Sequence, residues 1–197
     1  MKITGKFKKR QLPEADQLQK ELKRERYKRR FRKLLRSTVN ALIVVAAVAA
    51  LIATLVLPVL QIAGTSMEPN LKDGDIVLLV KKKDLQRGDL CAFYYSNKIL
   101  IKRVIAVPGD YIWIEADGTV YLNGEVLEEP YLTKKALGEC DVEFPYQVPE
   151  NKYFVMGDQR ETSIDSRSSV IGCIPEDQLV GKIVFKIWPL SEMKIMD

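Results

Sequence analysis

Between Arg36 and Glu68 the chain carries no charged residue, and residues 41–60 read ALIVVAAVAALIATLVLPVL, interrupted only by Thr54 and Pro58. Twenty residues at about 1.5 Å each span about 30 Å, the thickness of the hydrocarbon core of a bilayer. A buried core helix would place polar residues along one face, and none recur at helical spacing. The segment therefore predicts one transmembrane helix over 39–60. A cleavable leader has a short basic stretch before its apolar run, whereas here the basic stretch runs 36 residues, so the span is expected to stay in the mature chain. Residues 1–36 hold 15 Lys/Arg against 4 Asp/Glu, while 37–197 hold 16 against 22. Basic flanks stay on the cytoplasmic side. The expected layout is a single-pass protein of the cell membrane: a cytoplasmic basic tail (1–38), the span, and an extracytoplasmic domain (61–197).

Within the basic tail, Tyr27, Phe31 and Leu34 recur at helical spacing among the cations of KRERYKRRFRKLLR. That pattern fits a basic amphipathic helix on anionic lipid, and equally a solvated tail that only sets topology. No nucleic-acid motif accompanies it, and nucleic acid is not an expected partner.

The exported 137 residues suffice for one domain with its own core. Short β-branched runs recur at 75–80, 89–95, 98–107, 111–116, 119–122, 152–157 and 181–188. Turn signals separate them, among them Asp117-Gly118 and Asn123-Gly124, each expected to close a tight hairpin. The fold class is mainly β: an antiparallel β-sheet domain preceded by one N-terminal transmembrane helix. The proline-bearing stretch of about 124–150 reads as an irregular excursion from the main sheet.

The chain has no histidine, which removes every Ser-His-Asp and Cys-His arrangement and the commonest metal ligand. Cys91, Cys140 and Cys173 are too few and too scattered for a disulfide framework or a paired zinc site. Buried free thiols fit them best, and one disulfide with a spare thiol also fits.

Three polar clusters remain. Ser66 lies in GTSMEPNL, a few residues past the span, where Gly64 and Pro69-Asn70 resist both helix and strand. Serine in such a place commonly turns or caps the backbone, and it can also present a nucleophile. Lys102 sits inside KILIKRVIAV, where alternation puts Leu100 and Val104 on its face and Arg103 on the other. Burial there disfavours the ammonium and draws its pKa down from about 10.4, unless the amine snorkels to water. The third cluster, GDQRETSIDSRSSVIG, packs Asp158, Arg160, Ser163, Asp165, Ser166 and Arg167 into ten residues after an apolar strand. It is either a solvated loop or a buttress that holds an amine and a hydroxyl in register. Together, with histidine absent, a hydroxyl, a desolvated amine and a polar buttress compose a Ser/Lys dyad, with the Ser66 N–H as one oxyanion donor.

The blocks Ser66-Met67-Glu68-Pro69, Arg87-Gly88-Asp89, Lys102-Arg103 with Pro108-Gly109-Asp110, and Gly157-Asp158 to Arg167 follow the span in order. In this the chain resembles the type I signal peptidases, in their short single-span bacterial form, over about residues 39–190. The resemblance implies a membrane-bound serine endopeptidase that removes signal peptides from exported preproteins, with small residues at the first and third positions before the cut. It implies Ser66 as nucleophile, Lys102 as general base, Ser163 hydrogen-bonded to the lysine amine, and Asp158, Asp165 and Arg167 bracing the site. Its expected partners are secreted preproteins and the lipid bilayer; it calls for no metal and no organic cofactor. Two departures stand out: Gly64 where some members place a second oxyanion serine, and Gln159 where the last block usually has Asn. Trp113 and Trp188 fit either the membrane interface or the core. The self-cleaving repressors of the DNA-damage response share the Ser/Lys layout, but are soluble and carry a DNA-binding domain where this chain has a span. The competing reading is a catalytically silent, membrane-tethered β domain acting as an assembly or binding module.

Overall fold

The computed structural model describes residues 15–56 and 58–196, for Ala15 and residues 52–56 the backbone alone; the first fourteen residues of the basic tail, Leu57 and Asp197 lie outside the described residues. One helix, α1 (Ala15–Val56), is followed by twelve strands: β1 (Val59–Gln61), β2 (Ile76–Val80), β3 (Leu90–Tyr95), β4 (Lys98–Ala106), β5 (Tyr111–Ile114), β6 (Val120–Leu122), β7 (Glu125–Val126), β8 (Tyr146–Gln147), β9 (Lys152–Met156), β10 (Ile174–Pro175), β11 (Leu179–Trp188) and β12 (Lys194–Ile195).

Helix α1 is longer than the apolar run predicts, because the basic stretch before it is rich in Lys, Arg, Gln, Glu and Leu, all good helix formers, and continues the same helix. It is long and apolar enough to cross a membrane, and none of its apolar window is buried against the protein. At the other end the helix stops at Val56, short of the expected Leu60: Val59 and Leu60 belong to β1, paired with Leu78 and Val77.

Helix and sheet domain are separate compact units. The domain is antiparallel throughout. A larger sheet runs in the order β1-β2-β11-β3-β4-β9-β10 with β12 on β11, and a smaller one runs β7-β6-β5-β8. All seven β-branched runs are strands. The excursion supplies only β7 and β8, both to the smaller sheet, and is otherwise irregular. Asn123-Gly124 forms the two-residue turn between β6 and β7, with φ of 52° and 90°, the left-handed pair such a turn needs. Asp117-Gly118 lies instead in a five-residue loop closed by Glu115 and Thr119. A further tight turn, Ser96-Asn97 (φ 41° and 64°), joins β3 to β4 without glycine.

Both faces of the larger sheet are covered. Along β3, Leu90 and Ala92 enter one apolar cluster with Met67, Leu71, Val77 and Ile183, while Cys91 and Phe93 enter another with Val104, Val155 and Leu179. A third, around Ile112, Val120, Phe154 and Met156, joins the two sheets. The three cysteines are free thiols; Cys91 is buried, and Cys140 and Cys173 are half-buried, so only Cys91 matches the buried expectation fully. Trp113 and Trp188 are both exposed and belong to no core cluster.

Candidate active site

Ser66 lies in the loop from β1 to β2. Ile62, Met67 and Leu71 anchor that loop in the core, which leaves the serine between them half exposed. The backbone turns tightly here: Glu68 N–H donates to Thr65 O and Leu71 N–H to Met67 O. The Gly64 N–H is committed to Asp73 Oδ1 at 2.8 Å.

Lys102 stands directly opposite Cys91 in the β3–β4 register, and Leu100 and Val104 on its face pack in the same cluster as Cys91. Only 4% of the lysine is exposed, so the amine does not snorkel to water. Its Nζ donates to Ser163 Oγ at 2.9 Å. Desolvation pulls the amine below the ordinary lysine range; the Asp165 carboxylate opposes this, the Arg167 charge adds to it, and the fall prevails.

Ser163 belongs to the loop after β9, which is an internal support and not a solvated surface: Asp158, Arg160, Ser163, Asp165, Ser166 and Arg167 are each no more than 2% exposed. Asp165 and Arg167 form a forked pair, Nε to Oδ1 and Nη2 to Oδ2, both at 2.8 Å. Asp165 also receives the Gly157 N–H at 2.9 Å. Burial alone would raise the Asp165 carboxyl; the Arg167 hydrogen bonds and charge, the Gly157 amide and the Ser163 hydroxyl bring it below its usual range. Arg167 reaches onward to the Ser163 and Leu137 carbonyls, tying this loop to the excursion.

Gly157 is where the serine loop and this support meet. Its backbone leaves no room for a side chain: a Cβ would fall 2.2 Å from Ser163 Oγ and 2.6 Å from Ser66 O. The next contact is direct, Gln159 N–H donating to Ser66 O at 3.0 Å. Because Gln159 makes it through its backbone, the exchange of Asn for Gln leaves this hydrogen bond available.

A second buried network holds the same pieces from behind. Asp158 takes two hydrogen bonds from Arg103 (2.8 and 2.7 Å) and one from Asn70 Nδ2 (2.8 Å). It thereby joins β4, the serine loop and the loop after β9. Arg103 also donates to Gly88 O and stacks its guanidinium 4.0 Å over the Tyr131 ring. Arg160 pairs with Glu129 and donates to Gly157 O. Among the described residues, every buried side-chain nitrogen and oxygen has a partner.

Ser66 and Lys102 open onto one cleft of about 120 Å³, walled by the residues after β1 and by the first half of β4. Its lining is mostly Leu, Ile, Ala and Met, and a hydroxyl and a desolvated amine are its reactive groups. Among the described residues, no group of three or more Cys, Asp or Glu side chains is gathered to hold a metal ion.

The structure thus brings together Ser66, Lys102, Ser163, Asp158, Asp165 and Arg167, the six residues to which the resemblance gave roles. Sequence reasoning did not find Asn70, Glu129 or Tyr131, nor the pairing of Arg103 with Asp158. Asn70 carried the one signal, an amide side chain four residues past Ser66 in a loop already marked as special.

The family described as "Signal peptidase, peptidase S26" matches residues 35–188. Signal peptidase IB of Staphylococcus aureus is 40% identical over 154 residues, covering 68% of this chain and 78% of that protein. Signal peptidase I of Bacillus licheniformis is 36% identical over 149 residues, covering 69% and 79%. The crystal structure of a signal peptidase I from Enterococcus faecalis V583 is similar at 30% identity and a TM-score of 0.43, covering 50% of this chain and 96% of that one. With the family matched across the span and nearly all of the sheet domain, the chain belongs to the type I signal peptidases of peptidase family S26.

Proposed function

We propose that this chain is a membrane-bound serine endopeptidase that cleaves N-terminal signal peptides from exported preproteins, with Ser66 as nucleophile and Lys102 as general base. The observation that carries the assignment is the Lys102 amine: 4% exposed, hydrogen-bonded to Ser163, and opening on the same cleft as Ser66. A lysine kept from water in this way holds a neutral amine far more readily than a surface lysine.

In the reaction, Lys102 Nζ takes the Ser66 hydroxyl proton as Oγ bonds to the scissile carbonyl carbon. The oxyanion is received by main-chain donors, first the Ser66 N–H, since the Gly64 N–H is engaged by Asp73. Collapse breaks the C–N bond, and the Lys102 ammonium gives its proton to the departing amine, the new N-terminus of the exported protein. Water then attacks the Ser66 ester, Lys102 takes one of its protons, and that proton returns to Oγ as the signal peptide leaves as a carboxylic acid, which gives its remaining proton to solvent. Ser163 orients the amine throughout. Asp165 and Arg167 hold Ser163, and Asp158 ties the serine loop to β4.

A cleft of about 120 Å³ with an apolar lining suits small uncharged side chains, in keeping with small residues at the first and third positions before the cut. Ser66 follows the end of α1 at Val56 by ten residues, which suits bonds emerging near the membrane surface. The charge bias argues for an amino end in the cytoplasm and a sheet domain outside it.

Cleavage of a secreted precursor by the full chain in membranes tests the assignment. Ser66→Ala and Lys102→Ala are each expected to lose at least about 1,000-fold in rate with the domain still folded. Normal processing by either variant would leave the silent tethered module as the better reading.

A further inference from the structure

One stretch of α1 supplies no residue to the site described above. In the eleven residues from Arg26 to Arg36, every side chain is either basic or apolar. At about 100° per residue, Tyr27, Phe31, Leu34 and Leu35 fall in one arc of about 100°, and all seven Lys and Arg fall outside it. The apolar arc is exposed: Tyr27 is 73% exposed and Leu34 66%. Among the described residues, Lys28 has the one acidic partner of the seven cations, Glu25 at 3.4 Å.

The stretch runs directly into the apolar half of the helix through Ser37-Thr38-Val39-Asn40, four residues of low helix propensity. Thr38 Oγ1 donates to the Leu34 carbonyl at 3.0 Å, a local bond that competes with the helix ladder and eases a bend.

We propose that residues 26–36 form a second membrane contact, a surface helix that turns at 37–40 and lies in the bilayer plane, binding anionic phospholipid headgroups through its cations and sinking Tyr27, Phe31, Leu34 and Leu35 at the acyl boundary. Three features select this occupant. The cations demand an anionic partner. The opposed apolar arc demands hydrocarbon beside those anions, which nucleic acid does not offer. The span, a few residues on, keeps the stretch at a bilayer surface, so binding is intramolecular in character and modest intrinsic affinity suffices. The proposal rests on the anchor and not on the Ser66/Lys102 assignment.

The test uses the full chain carrying Phe31→Trp, with Trp113→Phe and Trp188→Phe to silence the background. It is reconstituted in zwitterionic phosphatidylcholine vesicles, or in the same lipid doped with phosphatidylglycerol. With anionic lipid, the reporter is expected to emit at shorter wavelength and to be quenched by acyl-brominated lipid, and high salt is expected to reverse both. Arg29→Gln with Arg30→Gln should lower the surface-bound to free ratio by about 25-fold, about fivefold for each cation. A solvent-like reporter in both vesicles, as an upright helix would give, overturns the proposal. So does equal, salt-insensitive quenching without anionic lipid, or a response to added RNA and not to phosphatidylglycerol. The lipid and salt comparisons need no charge substitution, so misfolding of the double variant leaves the test intact.

Discussion

Adding one methyl group at Gly157 tests whether the serine loop and the lysine support must be held in fixed register. A Cβ built there would lie 2.2 Å from Ser163 Oγ, 2.6 Å from Ser163 Cβ and 2.6 Å from Ser66 O. Each contact is well short of van der Waals separation, the tightest by more than an ångström, and the obstacles are a packed side chain and a backbone carbonyl. Gly157→Ala must therefore push Ser163 away from Lys102, push Ser66 away from the loop after β9, or both. Overpacking of this kind costs about 1–3 kcal/mol, which a domain stable by about 5–15 kcal/mol survives. A displacement near 1 Å at reacting groups costs about 100-fold in rate. The variant is thus expected to fold, to melt a few degrees lower, and to cleave a precursor about 100-fold more slowly. Combined with Ser163→Ala, it should be clearly less than additive, because both changes act on the same contact. Cleavage within about threefold of the parent rate would refute the claim that catalysis depends on this register.

Two further perturbations probe the buried charges. Asp158→Asn leaves the Arg103 guanidinium without its carboxylate in a pair whose side chains are 5% and 0% exposed, and should destabilise the domain by about 3–5 kcal/mol; an unmoved chemical-denaturation midpoint would count against this network. Asp165 titrates below its usual range, so its contribution is fully present above the unfolded value of about 3.9 and is lost as pH falls through the lower native value. Asp165→Asn should therefore flatten the loss of stability below about pH 4, and an acid limb as steep as the parent's would contradict the forked pair with Arg167.

The long strands were legible because their β-branched runs and glycine turns are local signals. Strands β7, β8, β10 and β12 have two residues each and exist only through their partners across the sheet, which no local pattern reveals. The β3–β4 turn was missed because Ser96-Asn97 adopts left-handed conformations without glycine. Alternation correctly put Lys102 among hydrocarbon and Arg103 on the other face, but could not tell burial from snorkelling. What decides that is Cys91 across the ladder and Ser163 from a loop 61 residues on. For Arg103, the opposite face is equally buried, so its charge is met by Asp158 and not by water. Asn70, Glu129 and Tyr131 come from segments with no pattern of their own, and their roles arise from tertiary packing alone.

The claim on which the proposed chemistry stands is a Lys102 amine that gives up its proton more readily than an ordinary lysine. In the unfolded chain the group binds its proton more tightly, so the folded state bears a penalty that is fully present below the depressed native value. That penalty is relieved as pH rises through this value toward about 10.4. Nuclear magnetic resonance titration of the Lys102 side chain in the full protein, assigned by Lys102→Arg, measures this directly. A midpoint below the ordinary lysine range, with precursor cleavage rising through the same pH, is the predicted result; a midpoint at or above about 10.4 would contradict the account.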